Sequence, residues 1–444
     1  MSKPQFKYSA AGPIPLDWIT VQLKDVCTKI GSGITPRGGE KVYREKGIAL
    51  IRSQNVLNNR FSFDGLVYID ESMAKEMENV EVQRQDILLN ITGDSVGRCC
   101  TVPEEVLPAR VNQHVSIIRV NRQQVNPVFL RYYLTSPKMQ EYMLSLAQSG
   151  GTRNALTKGL IEDFISPQPD ISEQEAIADI LSKLDMKIAL NERMNRTLEA
   201  VGAALFRRWF VDFEFPNQDG KPYRSTGGKM QDSDMGKIPE GWRTDKLGNH
   251  TIIKGRIGWK GLQVSEYVPA GPRIVGGMQL IGGRVNWDAC PCIPKFRYDE
   301  SPEIMLKQND ILLTKDGTIG KLAFVDELIE PATVASGIFV IRSNSGLITQ
   351  MYLLSYFKSS IFGNLVESRI EGSVVPHLYQ RDITELPIVV PSAEIANRFQ
   401  KIATSLQRKI DSNSRNSVTL GKIRDALLPK LMSGKIRVPL NKEN

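Results

Sequence analysis

Histidine and cysteine are scarce in this chain. Three histidines and five cysteines stand among 444 residues, and Cys27, Cys99, Cys100, Cys290 and Cys292 form no Cys-x-x-Cys pair. A structural zinc site needs about four such ligands at short paired spacings, so a metal is not expected. An odd cysteine count, with no apolar leader in the opening MSKPQFKYSAAG, points to a reducing cytoplasm. No apolar run approaches the length that spans a bilayer, so no membrane segment is expected. Cofactor loops are missing as well. No Gly-x-Gly follows a strand with a helix and an acidic residue behind it. No Asn/Asp-Pro-Pro-Tyr motif is present to hold the target amine of an amino-methyltransferase. Residues 317–321, Gly-Thr-Ile-Gly-Lys, fail as a phosphate loop, because Leu322 stands where Ser or Thr belongs, and they read as a tight turn. His114 and His377 have no evident nucleophile or acid partner and read as structural residues or base contacts. No catalytic residue, no metal and no cofactor are therefore expected in the chain itself.

What is present is a repeat. Between residues 173 and 209, Ile177, Leu184, Asn191, Leu198 and Leu205 form one row at a spacing of seven. Leu181, Ile188, Asn195, Gly202 and Trp209 form the other row of an a/d seam. The pattern returns 222 residues later as Phe399, Leu406, Asn413, Leu420 and Leu427, with Ala403, Ile410, Ser417, Arg424 and Leu431 beside them. Two long helices with matching seams are expected to pair. Ser172 with Glu175 three residues on, and Ser392 before Glu394, read as their N-terminal caps. Pro429 is expected to end or kink the second helix near Leu428.

The stretches before the two helices match too. Residues 12–18, Gly-Pro-Ile-Pro-Leu-Asp-Trp, are echoed by residues 236–242, Gly-Lys-Ile-Pro-Glu-Gly-Trp. Residues 86–89 and 310–313 are both Asp-Ile-Leu-Leu, each a strand running into a glycine loop. Strands are read at 48–51, 113–120 and 337–342, and helical patterns at 128–146 and 350–366. The chain is thus a tandem duplication of mixed α/β (α+β) class: a globule at 1–170, a long helix at 171–213, a linker at 214–235, a second globule at 236–391 and a second helix at 392–436. The scaffold positions agree between copies, whereas the polar loops hardly agree at all. That suits two similar modules that read different things; drift of surface loops would look the same.

The excess of 57 Lys and Arg over 49 Asp and Glu, a net charge of +8, suits an acidic partner, nucleic acid first. Helices of nearly forty residues are roughly 55 Å long. Paired antiparallel, they would act as a ruler between globules in pseudo-two-fold array, against about 34 Å for one turn of DNA. DNA recognition needs cations for phosphates and Arg, Lys, Asn or Gln for base edges. The polar loops of the first globule offer Arg37, Arg52, Gln54, Asn55, Asn90, Thr92, Arg98 and Arg153. Those of the second offer Arg256, Lys260, Gln279, Lys315, Thr318, Lys321, Arg369 and His377. Arg52, Gln54 and Asn55 form the preferred base-reading cluster; solvated surface or loop-stabilising roles are the alternative for each residue. Asn191 and Asn413 are read as a pair that sets the helix register, or else as facing water or a partner. Trp209, Phe210 and Phe213, near Arg207 and Arg208, read equally as a docking patch or as core.

In this combination the paired Trp turns, the two Asp-Ile-Leu-Leu strands and the two long helices, including residues 204–213, Ala-Leu-Phe-Arg-Arg-Trp-Phe-Val-Asp-Phe, resemble the specificity subunit of type I restriction–modification systems. The resemblance covers essentially the whole chain. It implies two target recognition domains on a bipartite asymmetric double-stranded DNA site, spaced by an antiparallel coiled coil. It also implies two docked modification subunits that methylate adenine with S-adenosylmethionine, and restriction subunits that use ATP with magnesium. The second copy departs from the first in having Gly255-Arg-Ile-Gly where residues 31–36 read Gly-Ser-Gly-Ile-Thr-Pro. A free-standing DNA-binding regulator and a purely structural coiled-coil adaptor are the competing readings. Duplicated polar loops and the basic balance argue against the adaptor.

Overall fold

The computed structural model describes residues 5–149, 155–256, 262–370 and 377–439, apart from the side chains of residues 149, 369 and 370. Arg153, Lys260, the Arg369 side chain and the loop beginning at residue 371 lie outside the described residues. The chain forms two compact units, Met1–Ala189 with Ser417–Asn444, and Leu190–Asn416.

In the first unit the strand Ile87–Asn90 lies at the centre. Its neighbours are Cys99–Thr101 on one side and Val115–Val120 on the other, with Cys27–Ser32 beyond, all antiparallel. All four of its residues are buried because both faces of this sheet are covered. Ile87 and Leu89 face a core with Leu130, Met143 and Phe164, while Leu88 faces a second with Ile51, Val111 and Ile117. A strand buried on both sides reads as a continuous apolar run, which is why Ile-Leu-Leu shows no alternation. Ile48–Ile51 runs parallel to Ala109–Val111 in a second sheet. The second unit repeats this arrangement. Ile311–Thr314 lies between Leu322–Phe324 and Ile338–Ser343, with Thr251–Gly255 beyond. Val268–Val275 runs parallel to Ala332–Val334. In both units the strand after the Trp turn pairs with the strand before the long helix: Ile19–Gln22 with Ile165–Gln168, and Arg243–Lys246 with Pro387–Val390.

The acidic residue of the repeated motif has its own reason. Asp86 is buried, and the Arg119 Nε and Nη2 groups donate to its two oxygens, each at 2.8 Å. The Gln83 N–H donates to it as well, at 2.7 Å. Asp310 takes the same three bonds from Arg342 and the Lys307 N–H, at 2.6 to 2.7 Å. Gln85 and Asn309, one residue earlier, both turn the chain at positive φ, 67° and 73°.

Several expectations need correction. Each helical pattern after the sheets is two helices, Pro127–Leu134 with Pro137–Ser149, and Gln350–Phe357 with Ser360–Ile370. In both units a serine marks the break: Ser136 Oγ donates to the Tyr133 carbonyl and Ser359 Oγ to that of Tyr356, each at 2.6 Å. Residues 113 and 114 stand in a turn rather than in the strand. The stretch 214–235 is not a bare spacer, since Phe215 stacks on Trp242 at 4.8 Å and Tyr223 on Phe215 at 4.6 Å. Trp209, Phe210 and Phe213 lie in the same core.

The long helices are Ile171–Phe210 and Ala393–Met432. The first is capped by Asp170 rather than Ser172: Asp170 Oδ1 accepts the Glu173 N–H at 2.9 Å and the Ser172 hydroxyl at 2.6 Å. Ser392 Oγ accepts the Ile395 N–H at 3.4 Å at the start of the second. That helix runs through Pro429, where packing of Leu428, Leu431 and Met432 against Trp18 and Ile177 offsets the lost backbone bond. Every expected seam residue is buried or half-buried. Within each unit the two helix segments run antiparallel. In the second, Phe206 and Phe210 meet Phe399, while Asn191 Nδ2 donates to the Asn413 carbonyl at 3.3 Å. Asn413 Nδ2 donates to Asn195 Oδ1, and Asn195 Nδ2 to Ser414 Oγ, each at 2.9 Å. The two seam asparagines therefore meet through a side chain-to-backbone bond, and Asn195 completes the network. In the first unit Asp185 accepts from Tyr132 at 2.6 Å and from Arg424 at 2.7 Å. Further along, Arg437 bonds both oxygens of Asp17 and both of Glu173, at 2.7 to 3.0 Å. Glu173 also accepts from Trp18 Nε1 at 3.1 Å.

Two stability tests follow from these contacts. Asp86→Ala strands the Arg119 guanidinium and is expected to cost about 3–5 kcal/mol in urea unfolding of the first unit, with Asp310→Ala doing the same in the second. Unchanged midpoints would show that the pairs carry no stability. The Ser172 hydroxyl, followed by the Glu173 N–H, holds the Asp170 carboxyl below its ordinary 3.8. A depressed folded value means that the cap stabilises above 3.8 and loses its contribution as pH falls through the folded value. Asp170→Ala is expected to cost about 1 kcal/mol at pH 7 and progressively less under acid, read from unfolding curves across pH. A cost that stays constant with pH would rule this out.

Candidate nucleic-acid interface

Strand registers decide which loops meet. In the first unit Ser32 lies opposite Ser116, Asn90 opposite Val115, and Ile51 beside Val111. The polar segments after residues 32, 51, 90 and 111 therefore leave from one end of the sheets. Backbone bonds tie them together: Asn112 N–H to Ile51 O at 3.0 Å, Ile91 N–H to His114 O at 3.0 Å, and Leu156 N–H to Ile91 O at 2.8 Å. Gly33 passes so close to the Val111 carbonyl that a Cβ would sit 1.9 Å from its oxygen. The second unit repeats the arrangement. Gly255 lies opposite Phe339, Thr314 opposite Ile338, and Val275 beside Val334. Ala335 N–H bonds Val275 O at 2.9 Å, Lys315 N–H bonds Gly337 O at 2.9 Å, and Leu378 N–H bonds Lys315 O at 2.9 Å. The glycine loops turn alike, with φ of 69° and 85° at Gly93 and Gly97, and the same angles at Gly317 and Gly320.

The described candidates thus gather at one end of each unit, but they do not all face solvent. Asn55 is buried: its Nδ2 donates to Ser62 O and Asp64 O at 3.0 and 3.2 Å, and its Oδ1 accepts the Arg52 N–H at 3.0 Å. Asn90 is buried too, with Nδ2 on Ser53 O and Val56 O at 2.8 and 3.2 Å. Both hold loops and cannot reach a base. Arg52 Nη2 and Gln54 Nε2 converge on the Gly65 carbonyl at 2.6 and 3.1 Å. Arg52 Nη2, Gln54 Nε2 and Asn55 Nδ2 of the preferred cluster are therefore spent on the segment 62–65. Arg37 and Arg98 are exposed and carry no side-chain partner among the described residues, which suits phosphate contacts. Thr92 Oγ1 lies 2.7 Å from His114 Nδ1.

In the second unit Arg256 is the clearest correction. Its side chain is fully buried, with Nε on Val334 O at 3.0 Å, Nη2 on Thr333 Oγ1 at 3.3 Å and Glu300 3.6 Å from Nη1. Burial pulls its pKa down, against the opposing charge of Glu300. It is a core residue. Gln279 occupies the position of Asn55 and does the same work, its Oε1 accepting the Gly276 N–H at 3.1 Å and its Nε2 donating to Ala289 O at 3.3 Å. Lys315 Nζ lies 5.2 Å from the Phe339 ring. Thr318 and Lys321 are exposed. His377, unlike the sequence reading, has an acidic partner: its Nδ1 bonds Asp316 Oδ1, and its ring packs on Tyr379 at 4.4 Å.

Sequence reasoning missed Gln113, and it read His114 as a structural residue or a base contact without placing it among the loop candidates. Gln113 and His114 form the tip of the turn between Ala109–Val111 and Val115–Val120, in the middle of the converging loops. A polar Asn-Gln-His triplet between two apolar strands was the signal. Cys99 and Cys100 are core residues, and burial pushes the Cys100 thiol up to about 12.

The family model described as the type I restriction modification DNA specificity domain matches residues 15–200 and 297–420. The chain is 27% identical over 437 residues to the specificity subunit of the type I restriction enzyme MjaIX of Methanocaldococcus jannaschii, covering 98% of this chain and 97% of that one. It is 25% identical over 469 residues to the HindI specificity subunit of Haemophilus influenzae, covering 95% and 100%. The crystal structure of a type I restriction–modification S subunit from M. genitalium superposes with a TM-score of 0.58 over 97% of this chain and 98% of that one, at 15% identity, a likeness of fold. With well over half its length inside the family model, this chain belongs to the type I restriction–modification DNA specificity family, the non-catalytic part of such an enzyme that supplies sequence specificity.

Proposed function

We propose that each unit reads one half of a bipartite, asymmetric DNA site, and that the long helices set the gap between the halves. One observation carries this reading. The two units share the four-stranded central sheet and the parallel pair of strands beside it, while the side chains at the loop end differ: Arg52 against Gly276, Thr92 against Asp316, and Gln113 against Ser336. A shared scaffold with unlike polar tips presents unlike hydrogen-bonding patterns to two base sequences. Two modification subunits dock on the helices, where Val201 and Ile402 of the second unit are 48% and 41% exposed apolar residues. Those subunits methylate adenine with S-adenosylmethionine, and restriction subunits add ATP- and magnesium-dependent steps. The chain supplies binding and orientation of DNA; the chemistry belongs to its partners.

Co-expression with the methyltransferase subunit, followed by mapping of methylated adenines across a genome, tests this. Two short unlike half-sites with a fixed gap are expected. Deleting one heptad from each long helix removes roughly 10 Å and should shorten the gap by about three base pairs while leaving the half-sites intact. An active complex that methylates no defined motif would overturn the reading, and operator binding by the chain alone would favour a free-standing regulator. Arg98→Ala and Lys321→Ala should each weaken DNA binding evenly across sequences and lower the slope of log affinity against log salt by about one. A slope unchanged in both variants would remove these residues from the phosphate contacts.

A further inference from the structure

We infer that Gln113 reads an adenine in the half-site recognised by the first unit, and that His114 is the positioning residue that aims it. The inference rests on the DNA-reading function proposed above and adds a residue and a base to it.

The turn that carries Gln113 is held firmly. Val115 N–H bonds Asn112 O at 3.1 Å, closing a four-residue turn with Gln113 and His114 at its tip. Asn112 is buried, and its Oδ1 accepts the His114 N–H at 3.1 Å. The backbone of the turn is further tied to Ile51 and Ile91 on either side. Gln113 is exposed at the centre of the loop end. A long exposed side chain ordinarily loses rotamer freedom on ordering. Here part of that ordering is already done, because Gln113 Nε2 lies 3.3 Å from His114 Nε2.

The bond has a direction. An amide nitrogen only donates, so His114 Nε2 accepts. In the neutral ring the proton then sits on Nδ1, which lies 2.7 Å from Thr92 Oγ1 and donates to it. Thr92 is itself tied to Ala155 by a backbone bridge. The chain Thr92–His114–Gln113 engages one N–H of the glutamine amide, and among the described residues the oxygen and second N–H of this exposed side chain have no partner. An acceptor and a donor side by side match the N6 amine and N7 of adenine in the major groove, the paired contact that glutamine makes best. Guanine offers two acceptors there and leaves the amide oxygen without a donor.

Among its described residues the second unit has no such device. The corresponding turn is Ala335–Ser336–Gly337, closed by Ile338 N–H to Ala335 O at 3.3 Å, and it carries no long side chain. Asp316, at the position of Thr92, instead bonds His377 from another segment. The effect of Gln113 must therefore fall on one half-site alone.

The test uses the full chain with its methyltransferase partner and methylome sequencing of the wild type, Gln113→Ala and His114→Ala. In the wild type, one half-site should require an A·T pair at a position where Gln113→Ala accepts other bases. Methylation of those other sites should rise about tenfold or more, with the second half-site and the gap unchanged. His114→Ala should relax the same position with an unaltered thermal unfolding midpoint, which a merely structural role for the imidazole would not produce. An unchanged motif in Gln113→Ala overturns the inference, as does relaxation of a G·C position or of both halves together. A wild-type complex with no split motif overturns the underlying function as well, so the two failures are told apart.

Discussion

A buried carboxylate locked to a buried-edge arginine anchors each unit. Asp86 and Asp310 lie at the base of the central strand, and their arginines reach across from the neighbouring strand. Removing the arginine leaves a carboxylate buried without its countercharge, and removing the aspartate leaves a largely buried guanidinium without its partner. The pair therefore pins two strands to each other at the end remote from the loops. Since a slip of one residue would invert every side chain between the faces, a charge pair at this place also guards the register on which both cores depend. Everything at the far end, from Ile91 to His114, inherits its position from that alignment.

Such an anchor permits variation elsewhere. The loop ends are joined mainly by backbone bonds, Asn112 to Ile51 in one unit and Ala335 to Val275 in the other, and these make no demand on side chains. Side chains at the tips can change without disturbing the strands below. The two units illustrate this: a glutamine and histidine stand at one turn tip, a serine and glycine at the other, over the same hydrogen-bonding frame. The arrangement separates what must be constant for folding from what must differ for recognition.

How much of this was legible beforehand follows the same division. Duplicated strands, Trp turns and seams are periodic patterns of apolar side chains, and periodicity is visible along a sequence. Asn55, Asn90 and Arg256 were misread because burial of a polar residue depends on distant partners. Asn90 bonds carbonyls of residues 53 and 56, and Arg256 bonds the carbonyl of residue 334. No local pattern announces such partners. Asp170 in place of Ser172 as cap is a slip of two residues, well within what capping signals resolve. Gln113 was overlooked for the opposite reason: its sequence neighbours look like the start of a strand, and only the turn sets it apart.

Arg437 clasps Asp17 and Glu173, and Leu428 and Leu431 close the core around Trp18. The first unit is thus assembled from the two ends of the described chain, whereas the second is one unbroken stretch. During synthesis, residues 417–439 leave the ribosome after the whole of the second unit has emerged. The unit begun first is finished last, and until then the core of Trp18, Ile177 and Leu181, covered by Ile14, Phe129 and Tyr132, lacks its side formed by Leu428, Leu431 and Met432. That interval is when a chaperone, or an early-arriving partner subunit, would find the nascent protein most receptive.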